Sequence, residues 1–470
     1  MRITLLVLAA LFISSCSKDD NSSTFVSGLI QNPTHDHIYL SNGEDTLDTI
    51  QLKPDGSFEK KINIDTSKFM VFEHPPEYQT LFVKPGDSLA FRLNTLDFDK
   101  SLVFSGNSSK ENNFMMDMYL MNESNSNLVS SHFKKSPDFI TKKTDSIKNE
   151  RLSRLKELDR QNNFSENFLE IAKKYIDYEV YDIKERYAFL LKKHFPEKAE
   201  VLNDSFYQYR KSADFNNVDL ANHFGYLRFL DDYLKNKSLD RCLNNENTSV
   251  ENCFDLNSFS NIHHRLELAN SIFKNQKLKT KFLERFFANE LLYATRKDQF
   301  SQAISLLKST GISDDKKEKL RKFSKFHKKF LVGQKVDKLA LRNHNKNATS
   351  LNKLSDKPYT AIHIWSCNMP EANKQRFDLI NKMRKQYDHV SFIGINTNHE
   401  NYKLWQQDVT EYDLMRNHEL QTPSTEDSKY YKHYLNRFTL IDASGQIIAA
   451  NVIDSEKEIK KFIADNTGIN

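Results

Sequence analysis

The sequence predicts a multidomain α+β protein in three segments: a β-sandwich-like domain over residues 25–107, an α-helical domain over 108–330 and an α/β domain over 331–470. Three observations predict this division. Short apolar runs separated by explicit turn signals fill the first segment. Glycine almost disappears from the second. After Leu331, β and α patterns alternate. A chain of 470 residues has room for about two to four domains.

Met1-Arg2 is a short positive start, and Ile3 to Ile13 is an apolar run too short for a permanent membrane span. It ends in Ile13-Ser14-Ser15-Cys16, which resembles the lipobox of bacterial lipoproteins. That resemblance implies a signal peptide over 1–15, diacylation at Cys16 and a lipidated tether over 16–24. Cys16-Ser-Lys-Asp-Asp20 further resembles the surface-export tethers of Bacteroidetes lipoproteins, and Ser17 argues against retention in an inner membrane. The expectation is an exported outer-membrane lipoprotein, periplasmic or surface-exposed, with the membrane as a partner through lipid on Cys16. Each buried methylene of such a lipid adds about 0.8 kcal/mol of anchoring.

Composition narrows the partners. Hydrophobic content of 38% and charged content of 28% fit a globular chain with a polar surface. The net charge of +5 is spread over 68 basic and 63 acidic residues, with no basic cluster interleaved with aromatics, so nucleic acid is not expected as a partner.

In the first domain, apolar runs recur at Phe25-Val26, Ile38–Leu40, Phe58–Ile64, Phe69–Phe72, Thr80–Val83 and Leu89–Leu93. Asn42-Gly43, Pro54-Asp55-Gly56 and Pro85-Gly86-Asp87 mark the turns, which predicts an antiparallel sandwich or small barrel. The phrases Asp48–Phe58 and Val83–Leu89 resemble the β domain often found ahead of thioredoxin-like domains in Bacteroidetes lipoproteins. His35 and His37 lack carboxylate or thiol support and read as structural; no metal site is expected.

In the second domain, Phe168, Ile171, Tyr175 and Tyr178 recur at helical spacing until Pro196 ends the run, with Asn163 and Glu166 as the expected N-cap pair. Further helices are predicted over 220–234, 259–273, 280–296, 299–308 and 314–329. The aromatic stripes read as core. His263 and His264 lie about 100° apart on a helix and do not make joint ligands. Cys242 and Cys253 close a short polar loop with no second thiol pair for zinc, and an exported chain favours a structural disulfide between them. Cys367 is then the odd thiol.

The third domain is organised around Tyr359–Ala372: a buried strand over 360–365, a turn carrying Cys367, and a helix opening near Pro370. Parallel βαβ, then the strand Val390–Asn396, then a hairpin turning at Ser444-Gly445 and a last helix over 455–463, is thioredoxin-like topology. Gly333–Asp337, Ser350-Leu351, Trp365, Gly394-Ile-Asn396, Leu440-Ile-Asp442 and Gly445 resemble the TlpA/ResA-like family of membrane-anchored extracytoplasmic thiol–disulfide oxidoreductases.

The departures from that family bear on chemistry. The resemblance implies redox cysteines near Met369 and Ala372, and a cis-proline where Arg437 or a neighbour stands. Shifting the match puts Cys367 at the nucleophile, but Pro370 then takes the partner's place. Dithiol exchange needs an attacking and a resolving sulfur. The preferred reading is therefore a redox-inactive, non-enzymatic domain with a degenerate active site, acting in binding or scaffolding for a protein or peptide of the envelope, with no cofactor. One alternative is a thiol–disulfide oxidoreductase using Cys367 alone, with Glu371 raising its pKa and His363 countering. The other is a glycan-binding envelope module centred on the β domain.

Overall fold

The computed structural model describes residues 23–41, 46–125, 127–244, 250–336, 339–351, 357–453 and 455–468. The expected signal peptide, Cys16, most of the tether, the Asn42-Gly43 turn, Asp337 and half of the loop between Cys242 and Cys253 lie outside these residues. The fold is mixed α and β with several sheets, in two compact units, 1–236 and 237–470.

The first unit begins with β1 (Ser23–Gln31), β2 (His37–Ser41), β3 (Thr46–Gln51), β4 (Ser57–Asn63), β5 (Lys68–His74), β6 (Glu77–Val83) and β7 (Ser88–Asn94). A short helix, α1 (Phe98–Ser101), leads to β8 (Val103–Gly106). These strands form two four-stranded sheets, ordered β4-β1-β7-β8 and β3-β2-β5-β6. Alternation puts Val26, Ile30, Phe58 and Phe91 of one sheet and Leu40, Phe72 and Leu81 of the other into a single shared core. Most pairings are antiparallel, but β1 and β7 run parallel, with Phe25 opposite Ser88.

Helices complete this unit: α2 (Ser109–Ser124), α3 (Leu128–His132), α4 (Pro137–Asn162), α5 (Glu166–His194), α6 (Pro196–Ala199) and α7 (Phe224–Leu243), within which the chain passes into the second unit. The α5 cap differs from expectation. Ser165 is the N-cap, its hydroxyl accepting from the Phe168 N–H at 3.3 Å, while Asn163 closes α4 in the left-handed region with φ 53°. Serine's short hydroxyl reaches the N3 amide, and asparagine tolerates the backbone that ends a helix. The helices α2 and α4 are not among those predicted from the sequence, and α2 has almost no apolar periodicity.

The second unit continues with α8 (Val250–Cys253), α9 (Phe259–Ile272), α10 (Gln276–Tyr293), α11 (Lys297–Ser309) and α12 (Asp314–His327). Ser258 and Ser313 cap α9 and α12 through their hydroxyls. Cys242 and Cys253 are joined by a disulfide, with 5.5 Å between their Cα atoms. His263 bonds to Glu290, and no three His, Cys, Asp or Glu side chains converge as metal ligands among the described residues.

The α/β part comprises β9 (Leu341–Arg342), β10 (Ala348–Thr349), β11 (Tyr359–Trp365), α13 (Pro370–Gln386), β12 (Val390–Asn396), α14 (Tyr402–Glu411), β13 (Glu419–Gln421), β14 (Arg437–Asp442), β15 (Ile447–Ile453) and α15 (Glu456–Thr467). Its seven-stranded sheet is ordered β10-β9-β13-β12-β11-β14-β15. The central pair, β11 and β12, is parallel, β14 and β15 form an antiparallel hairpin, and α15 follows. All seven residues of β12 are buried, as expected of a strand covered on both faces. No helix among the described residues is long and apolar enough to cross a membrane.

Candidate functional site

The candidate site is the turn Ser366–Met369, where β11 ends and α13 begins. Trp365 closes the strand with no exposed surface, its ring edge-on to Phe377 of α13 at 5.1 Å between centroids. Pro370 occupies the first turn of α13, where a missing N–H costs nothing. Met369 stands at the N-cap without a side-chain cap, and Ala372 follows in the first turn. The positions implied for redox cysteines are therefore at the helix start, where backbone amides point at a thiolate. Neither residue carries sulfur that can exchange.

Cys367 precedes that position and is only 8% exposed. The Asn396 carboxamide donates to its Sγ at 3.3 Å. Burial and the neighbouring Asp408 carboxylate push the thiol up to about 12, so it stays protonated at neutral pH. This corrects the expected electrostatics: Glu371 is exposed, and the carboxylate that acts on Cys367 comes from α14. Nor does His363 counter it. His363 is buried in β11, and desolvation first, then Arg376 and Arg384, hold its pKa well below the usual value, leaving the ring neutral.

Carboxamides and hydroxyls hold the turn. Asn398 Oδ1 accepts from both Ser366 Oγ–H at 2.9 Å and the Cys367 N–H at 2.7 Å. Asn373 Nδ2 donates to the Ser366 carbonyl at 2.8 Å. Arg376 donates to Asn373 Oδ1 at 3.0 Å and also to Asn436 Oδ1. Asn436, in the left-handed region at φ 63°, is the residue that docks the loop before β14 on the end of β11. Arg437, named from the sequence for the cis-proline position, instead opens β14 and donates to the Tyr293 hydroxyl at 2.8 Å.

Beneath the turn lies a group the sequence does not single out. Glu419 of β13 has no exposed surface, and Trp365 Nε1–H donates to its Oε2 at 3.0 Å. Its other oxygen lies 4.0 Å from His363 Nε2, too far for a hydrogen bond. Burial pushes Glu419 up to about 8, against the opposing pull of Arg384 and the Trp365 N–H. Gly394 of β12 leaves the space, since a Cβ there would overlap the carboxyl. Glu419 sits in a three-residue strand of polar character, so periodicity has nothing to register. The run of asparagines at 368, 373, 396 and 398 was the available signal for the turn network.

No family model matches the sequence, and no curated protein matches it. Solved structures do show likeness. A thioredoxin-like protein from Bacteroides caccae is 12% identical, over 60% of this chain and 94% of that one, with a TM-score of 0.34. The thioredoxin domain of a thiol-disulfide oxidoreductase from Bacteroides vulgatus is 16% identical, over 28% of this chain and 97% of that one, with a TM-score of 0.24. A thiol:disulfide interchange protein from a Bacteroides species is 15% identical, over 29% of this chain and 91% of that one, with a TM-score of 0.23.

Proposed function

We propose that the chain is a lipid-anchored envelope protein, held at the outer membrane through Cys16, whose α/β part keeps a thioredoxin-like scaffold for binding and carries out no dithiol exchange. The β-sandwich-like, helical and thioredoxin-like segments over 25–107, 108–330 and 331–470 then serve in binding or scaffolding for a protein or peptide of the envelope. One observation carries the redox-inactive reading: Cys367 is buried, protonated and bonded to Asn396, and the other cysteines of its unit, Cys242 and Cys253, are spent on a disulfide. A thiol in that state is a poor nucleophile.

An insulin-reduction assay tests this against the oxidoreductase alternative. The native protein and Cys367→Ser are expected to give the same background rate. Turnover that disappears in Cys367→Ser would overthrow the proposal. Labelling with radioactive palmitate, abolished by Cys16→Ala, checks the anchor, and co-purification from envelope fractions checks for a partner.

A further inference from the structure

We infer that the first unit holds a binding site for an organic cation, an alkylammonium or guanidinium head of the kind lysine and arginine side chains carry. The site is a cavity of about 100 Å³ where the edge strand β6 meets α2, α5 and the start of α7. A six-carbon aromatic ring fills a cavity of roughly 150 Å³. The volume therefore fits a group of a few heavy atoms and excludes a whole sugar ring.

Charge and shape agree on the sign of that group. Glu77, Asp99 and Glu179 line the cavity, and no lysine or arginine does among the described residues. The buried Arg151 pairs with Glu179, which leaves Glu77 and Asp99 unbalanced. Among the described residues, Asp99 accepts a hydrogen bond from the Tyr119 hydroxyl alone, at 3.4 Å. Burial first, then Glu123 and Glu77, hold its carboxyl above the usual range, the condition a bound cation relieves. His223 also faces the cavity, and burial keeps it uncharged.

A second observation is independent of the carboxylates. Asn122 lines the cavity, is only 7% exposed, and its carboxamide has no hydrogen-bond partner among the described residues. An N–H donor on a ligand can bond its oxygen. At the mouth stands Tyr78, exposed at 58%, whose π face attracts cations, while the Phe224 ring already has the Arg228 guanidinium over it at 5.0 Å. This site is separate from the Cys367 turn, and its existence does not depend on whether that turn is redox-active.

Isothermal titration of the full-length protein with n-butylguanidinium and n-butylammonium chloride tests it, with n-butanol and glucose as neutral controls. Saturable binding of the cations alone is expected, weakening with added salt. Asp99→Asn is expected to lose at least about tenfold in affinity while keeping its thermal transition. Tighter binding of Gly-Arg-Gly than of n-butylguanidinium would identify a polypeptide as the source, and equal binding a free small cation. The inference is overturned if neither cation binds at millimolar concentration, if glucose or butanol binds as well as the cations, or if folded Asp99→Asn binds unchanged.

Discussion

The turn after β11 and the cavity beside β6 are both rich in carboxamides and carboxylates, and they are bonded in opposite ways. Around the turn, Asn398, Asn373 and Asn396 bond to Ser366 and Cys367, and Arg376 bonds to Asn373 and Asn436. In the cavity, the Asn122 carboxamide has no partner among the described residues, and Glu77 and Asp99 have no balancing base on the lining. Carboxamides bonded to the surrounding chain fix a structure, while polar groups left around a space are open to a ligand. Beneath the turn, His363 and Glu419 Oε1 are the exceptions, buried without a hydrogen-bond partner among the described residues.

Substitutions in the two places should therefore separate in stability. The largest effect is expected from Trp365→Ala, which removes a fully buried indole and the Nε1–H on which Glu419 relies. A loss of about 3–5 kcal/mol in urea unfolding is expected. Phe224→Ala, at the exposed lip of the cavity, should change stability by less than about 1 kcal/mol. Equal losses at the two positions would break the contrast.

Glu419→Gln sharpens it through pH. The folded chain keeps the Glu419 proton up to about pH 8, whereas an unfolded chain releases it near about pH 4. Between those values the native state binds more protons, so stability falls as pH rises through the window, and this is the part that glutamine removes. The variant is expected to exceed the natural protein by on the order of 3 kcal/mol at about pH 8, with the advantage vanishing by about pH 4. Chemical denaturation at both pH values measures it.

Asn398→Ala should cost about 2 kcal/mol, because it strands the Ser366 hydroxyl and the Cys367 N–H, two donors that now share one acceptor. The smallest effect is expected for Asp99→Asn, within about 0.5 kcal/mol and toward greater stability, since it removes a half-buried charge facing Glu77 and Glu123. A destabilisation at Asp99 as large as that at Asn398 would mean that the cavity is a structural element.

Much of the fold was legible because its signals are local. Turn dipeptides and alternation located the strands of the first unit. The element order βαβ, hairpin, helix was readable from the apolar runs at 360–365, 390–396 and 438–449. The turn with Trp365 and Cys367 was legible too, but the residues that surround it and those of the cavity were not, because they come together from distant elements. Asp408 lies in α14, 41 residues from Cys367, and only the fold brings it to the thiol. Glu419 occupies a strand too short for any period. The cavity draws on β6, α2, α5 and α7, and α2 itself has almost no amphipathic pattern to predict it. The cap of α5 was misplaced by two residues because Asn163 and Ser165 are both good capping types, and only backbone geometry separates them.

The proposal for the turn after β11 is that it serves as a scaffold and not as a reactive centre. The most direct measurement is the rate at which Cys367 reacts with dithionitrobenzoate in the native protein, followed across pH and compared with the urea-unfolded chain. The account predicts slow native labelling that rises only at strongly alkaline pH, and labelling at least about a hundredfold faster once unfolded. Rapid labelling of the native protein at neutral pH, with a midpoint below the ordinary thiol value, would contradict it.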